Sequence, residues 1–98
     1  MNTISYQVPV VRKKQVLVVG GGCAGVPAAV CAARHGADTM LVDFNGYLGG
    51  TATAGMVGPF MTSFDPEGKR QVIKGFFDEF VRRMIKMDGA IGPEDCPP

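Results

Sequence analysis

The 98-residue chain has no tryptophan, one histidine and three cysteines, and these shortages exclude several chemistries together. A zinc centre needs three or four Cys, His or carboxylate ligands at close spacing. His35 is the sole imidazole, and Cys23, Cys31 and Cys96 form no Cys-x-x-Cys pair, so no metal site is expected. An odd number of scattered thiols also argues against a disulfide framework and for reduced cysteine in a cytoplasmic protein. Excess charge is missing too: ten Lys and Arg against nine Asp and Glu leave a net charge of +1. So weak a field predicts no nucleic-acid partner and no membrane-surface partner. No apolar run reaches the roughly 18 residues of a membrane-spanning helix. The opening MNTISYQVPVVRKK has no apolar stretch ahead of its cations, so no secretory leader is expected.

Glycine is what the chain has in plenty: fourteen residues, ten of them between Gly20 and Gly58. The cluster begins inside VLVVGGGCAGVPAAVCAARHGADTMLVDF, Val16 to Phe44. Gln15 to Val19 is a continuous β-branched and leucine run, the pattern of a strand buried on both faces of a parallel sheet. Ala24 to His35 is helical by composition, and Gly25, Ala29, Ala32 and Ala33 make a small-residue face that can lie close to a sheet. Pro27 falls in the first turn, where few helical N–H bonds are lost. Gly36 is the expected stop. Thr39 to Val42 reads as a second strand, closed by Asp43.

Strand, Gly20-x-Gly22-x-x-Gly25, helix, strand and acid are the physical recipe for holding a dinucleotide. The first glycine permits the sharp turn out of the strand. The second removes a Cβ so that the backbone can approach a pyrophosphate, and the third lets helix and strand pack closely. The helix N-terminus then offers free N–H groups and partial positive charge. Asp43 stands 23 residues after Gly20, near the spacing of about 20 expected for a ribose-binding acid. Its charge also disfavours a 2′-phosphate.

A nucleotide fold would ordinarily place a crossover helix next. Asn45 to Gly58 holds five glycines instead, so a flexible, backbone-exposing loop is expected. Gly49 and Gly50 can bring main-chain N–H groups to a polar ligand, and Thr51 and Thr53 add hydroxyl donors. Val57 to Phe64 alternates as a strand, Asp65-Pro66-Glu67-Gly68 is a turn, and Arg70 to Ile73 can pair back as a hairpin. Phe76 to Met87 is an amphipathic helix with Phe76, Phe77, Phe80, Val81, Met84 and Met87 as its core stripe, Asp78 and Glu79 on its solvated face, and Gly89 as its stop. Pro93 to Pro98 reads as loop. His35 is expected at a helix end facing water, and Cys23 as a small packing residue.

GGGCAGVPAAVCAARHGADTMLVDFNGYLGG resembles the N-terminal βαβ signature of FAD-dependent oxidoreductases of the glutathione-reductase-like type. The later GTATAGMVG and IKGFFDEFVRRM resemble the broader group of FAD-dependent oxidoreductases. The resemblance implies FAD as cofactor. It implies pyrophosphate contacts from Gly20, Gly22, Cys23 and Ala24, ribose contact from Asp43, and an adenine side lined by Phe44 and Asn45. Gly49, Gly50 and Thr51 would run along the cofactor toward the flavin, with Thr53 to Gly55 near the ring. The family more often has Glu where Asp43 stands.

The expected architecture is α/β: an arm over 1–14, then a partial Rossmann-like FAD-binding domain over 15–98 with an incomplete sheet. A doubly wound domain needs a third parallel strand, a covering layer and a substrate domain. The rest of the chain or other subunits would supply these, and a small-molecule substrate would follow. No catalytic residue can be named. Two other readings stay open: an NAD-binding Rossmann dehydrogenase fragment, and a truncated or assembly subunit without cofactor.

Overall fold

A computed structural model describes residues 1–60 and 63–95. The chain divides into two compact units, 1–56 and 57–98. The first is a βαβ unit. Strand β1 (Val16–Val19) leads into helix α1 (Gly25–Arg34), which returns the chain to strand β2 (Thr39–Val42). The strands pair in parallel, Val16 opposite Thr39 and Val19 opposite Val42. Gln15 N–H extends the ladder at one end to Asp38 C=O at 3.0 Å, and Gly20 N–H extends it at the other to Val42 C=O at 2.8 Å. A Lys14–Asp38 ion pair at 2.8 Å ties down the entry side.

The predicted strands and helix form where the sequence places them, within a residue or two. The expectation of burial on both faces is corrected. Val16 and Val18 turn toward α1 and are half-buried, whereas Leu17 and Val19 are 57 % and 78 % exposed. One helix can cover only one face of a two-stranded sheet, and side chains alternate between faces. The small-residue face of α1 is also narrower than expected: Ala29 is buried and Gly25 and Ala32 half-buried, but Ala33 is exposed. α1 ends in a Schellman arrangement. Gly36, at φ +89°, donates to Ala33 C=O at 3.0 Å, and Ala37 donates to Ala32 C=O at 3.2 Å.

In the second unit, the expected strand over 57–64 is not seen among the described residues; residues 61–62 lie outside them. The hairpin reduces to a single antiparallel bridge, Phe64 to Gln71, closed by the predicted turn. There the Asp65 carboxylate accepts from Lys69 N–H at 2.8 Å and Arg70 N–H at 3.2 Å. A two-stranded ribbon gains little without a covered face. Helix α2 (Phe76–Lys86) follows. Asp78 pairs with Arg82 at 3.0 Å and Glu79 with Arg83 at 2.9 Å, acids toward the start and bases toward the end. Neither acid is simply solvated: both are half-buried, and Asp78 also accepts from Gln71 Nε2 at 3.2 Å. Val81 is buried, and Phe60 lies against Phe77 and Phe80 at centroid distances of 5.7 and 6.1 Å. Met87, expected in the core stripe, is 81 % exposed because the helix ends at Lys86. Asp88 at φ +58°, not Gly89, takes the left-handed stop; Gly89 N–H then closes on Met84 C=O at 2.8 Å. Cys96 and the last two prolines lie outside the described residues.

Candidate functional site

Parallel pairing puts the carboxyl ends of β1 and β2 side by side, which is where open α/β sheets bind ligands. The pairing of Val19 with Val42 therefore delivers Gly20 and Asp43 to one edge. The five glycines 20, 21, 22, 25 and 50 differ there in what a side chain would meet. A Cβ on Gly25 would lie 2.8 Å from the Gly20 carbonyl carbon and closer still to its oxygen, so this glycine is needed for α1 to reach β1. A Cβ on Gly21 would strike Leu48 Cδ2 at 2.5 Å and crowd the Asp43 carboxylate. At Gly20 and Gly22 there is nothing within 4 Å, and Gly20 holds φ +102°. A Cβ on Gly50 would meet only the Gly22 Cα, at 3.3 Å. The turn is thus packed on its inner side and open over Gly20 and Gly22.

α1 begins at this opening without a side-chain cap and without an acid in its first turn. Val26 N–H bonds to Gly22 C=O at 3.1 Å, and Pro27 has no N–H to offer. The amides of Cys23, Ala24 and Gly25 remain as the donors that a helix start leaves unpaired. An oxygen-rich anion suits them, because the partial positive charge of the helix lies at the same end.

Asp43 is half-buried, and the turn itself holds it. Oδ1 accepts from Asn45 N–H at 2.7 Å and Oδ2 accepts from Gly21 N–H. These two amides, Asn45 first, keep its carboxyl below the usual carboxylate range. An ionised carboxylate has about four lone-pair positions, so acceptor capacity remains for a diol. The contact with Gly21 went unseen in the sequence. Its signal was the middle glycine of the GGG run, which the fingerprint does not use. Phe44 and Asn45 follow Asp43 and are exposed, the Phe44 ring fully so.

The loop after Asp43 is more ordered than its glycines suggest. Gly50–Ala52 forms a 3₁₀ turn, entered through Gly49 at φ +96°. Thr53 N–H and Gly55 N–H both bond to Gly50 C=O, at 3.2 and 3.0 Å. Gly49 leaves no room for a Cβ against the Thr53 side chain, and Gly55 leaves none against the Thr51 backbone. Those two glycines serve the loop's own compactness. The Thr53 hydroxyl, expected as a ligand donor, instead donates to Leu48 C=O at 2.6 Å.

This turn leans on the glycine fingerprint. Gly49 N–H donates to Gly21 C=O at 2.7 Å. The Cys23 thiol, exposed, lies 3.2 Å from Gly49 C=O and 3.3 Å from the Thr51 hydroxyl. The Thr51 hydrogen bond, followed by one from the Ala52 amide, lowers the thiol's pKa. His35 sits at the far end of α1, exposed, with Nδ1 2.7 Å from Cys31 C=O, and takes no part in the site. Among the described residues no cluster of His, Cys, Asp and Glu could hold a metal ion, and no helix is long and apolar enough to cross a membrane.

A family model described as FAD dependent oxidoreductase matches residues 15–97. A cinnamate reductase of Clostridium sporogenes is 51 % identical over 47 residues, which is 48 % of this chain and 7 % of that protein. A glutathione reductase of Schizosaccharomyces pombe is 44 % identical over 43 residues, 44 % of this chain and 9 % of that protein. The chain therefore spans less than a tenth of the length of these curated relatives. No solved structure gives a significant match.

Proposed function

This chain belongs to the FAD dependent oxidoreductase family, and from that premise we propose that its carboxyl-edge turn holds the ADP half of FAD for an oxidoreductase acting on a small molecule. The observation that carries the reading is the open volume over Gly20 and Gly22, bordered by the uncapped start of α1 and by the Asp43 carboxylate. A pyrophosphate fits the free amides at Cys23, Ala24 and Gly25, since no side chain has to move and no cation is required. A ribose diol fits the remaining acceptor positions of Asp43. Phe44 and Asn45 border the adenine side, and Gly49, Gly50 and Thr51 extend the cradle toward the flavin.

FAD, when bound, supplies the hydride or electron transfer; the residues of this chain bind and orient it. The proposal extends to organisation. Residues 1–14 are an arm, and 15–98 are the N-terminal part of a Rossmann-like domain completed by further polypeptide, its own or another subunit's. The bare sheet face at Leu17 and Val19 supports this, because apolar strand faces need a covering layer. An absorption spectrum of the purified complete protein tests the cofactor reading. Flavin bands in the visible, lost when Gly22 is replaced by valine, are expected. A colourless protein stabilised by NAD and not by FAD would overturn it.

A further inference from the structure

Two glycine-rich segments far apart in sequence meet at the candidate site, and one side chain joins them. The 3₁₀ turn Gly50–Ala52 has no side-chain cap of its own. A side chain from the other segment reaches it. Cys23, at the start of α1, places Sγ 3.3 Å from the Thr51 hydroxyl and 3.2 Å from Gly49 C=O. The thiol hydrogen can serve only one acceptor, and Gly49 C=O is a pure acceptor. The consistent assignment has Sγ–H donating to Gly49 C=O while Thr51 O–H donates to sulfur. The backbone bond from Gly49 N–H to Gly21 C=O lies beside this pair, and Gly50 faces the Gly22 Cα. The loops thus have a backbone tie on one side of Gly22 and a side-chain tie on the other.

We propose that Cys23 and Thr51 are positioning residues for the cofactor: their side-chain tie joins the Gly50–Ala52 turn to the segment just before α1 and fixes how far that turn stands from the fingerprint glycines. The inference rests on the proposed FAD site and adds to it. The cradle needs both loops, yet each is glycine-rich and has several backbone states of similar energy. A tie between them removes alternatives before the cofactor arrives, so binding bears less ordering cost. Serine fits the same role, because its hydroxyl both donates and accepts. Alanine cannot.

The test uses the complete holoprotein, stripped of flavin and titrated with FAD, with flavin fluorescence as readout and melting of the stripped protein in parallel. Cys23→Ala is expected to weaken FAD binding at least about fivefold, the usual effect of one lost hydrogen bond, since its bonds to Gly49 and Thr51 are lost together. Cys23→Ser is expected to restore affinity to within about twofold. Thr51→Val, which removes the Thr51 bond and leaves the one to Gly49 C=O, should weaken binding no more than Cys23→Ala, and the double variant should be no worse than Cys23→Ala alone. Wild-type affinity in Cys23→Ala, additive losses in the double variant, or failure of serine to rescue would each overturn the tie. If the wild-type protein takes up no FAD, the site reading falls and the tie falls with it.

Discussion

The fingerprint glycines predict two substitutions with opposite signatures. Gly25→Ala adds one methyl group where the Gly20 carbonyl already stands, 2.8 Å from its carbon. Alanine gains at most about 1 kcal/mol over glycine in a helix, and less at the first helical position. Forcing a backbone carbonyl aside typically costs about 1–3 kcal/mol, at the upper end here because backbone has no rotamer to yield. The net loss is about 2 kcal/mol, or about 4–8 °C in Tm for a domain of 150–250 residues. Gly22→Ala adds the same methyl group where nothing lies within 4 Å, on backbone outside the left-handed region. Its melting temperature should stay within about 2 °C of wild type. Its methyl, however, stands where the pyrophosphate approaches. Loss of one charge-assisted hydrogen bond, about 1.5–3 kcal/mol, lowers FAD affinity about 10- to 100-fold; Gly22→Val should lose flavin altogether. Calorimetry and FAD titration of the complete protein read both effects. Unchanged melting in Gly25→Ala, or retained flavin in Gly22→Val, would refute the division of labour between these two positions.

Asp88 holds φ +58° at the end of α2, so Asp88→Gly should stabilise the protein by about 0.5–1 kcal/mol in a urea melt, and a loss would contradict the left-handed stop. The Asp43 carboxyl is held below its ordinary value of about 3.9 by the Asn45 and Gly21 amides, so its contribution is complete above that pH and disappears as pH falls through the lowered value. Asp43→Asn should therefore be less stable than wild type at pH 6, with the gap narrowing as pH falls below the ordinary value, whereas a gap that does not change with pH would exclude the carboxylate as its source. Finally, residues 1–98 alone should give no cooperative calorimetric transition and should bind a hydrophobic dye, because Ala29 and Val81 are the only buried apolar residues among those described; a sharp monomeric melt would show that the bare sheet face needs no cover.

The βαβ unit was legible because each signal in it is local. β-branched residues, alanines and a glycine stop set β1, α1 and the break before β2 within a few residues of where they act. The register of the two strands then follows from the length of the connecting helix, and with it the placement of Gly20 beside Asp43. The second unit was legible only in α2, whose periodicity carries its own evidence. Around Asp65 the described residues form a single bridge, since alternation tells which residues could pair and not whether a covered face rewards pairing. Burial was misjudged for a related reason. The run from Gln15 to Val19 is written for two covering layers, and unit 1 provides one.

What the sequence could not show is the traffic between the two glycine segments. Composition marks Gly49, Gly50 and Gly55 alike as backbone-exposing, yet the structure separates them by what each neighbours. Gly49 and Gly55 make room for Thr53 and the Thr51 backbone, and Gly50 makes room for Gly22. Only Gly50 stands over the open volume. The same sorting applies to Gly21, whose amide serves Asp43, and to Gly22, whose amide face is free. A glycine packed against protein is one the fold needs, and the empty space at Gly20 and Gly22 leaves them open to the cofactor proposed for this edge. Gly25, Gly21, Gly49 and Gly55 pack against protein, and the tie proposed between Cys23 and Thr51 would hold the two loops at a set distance.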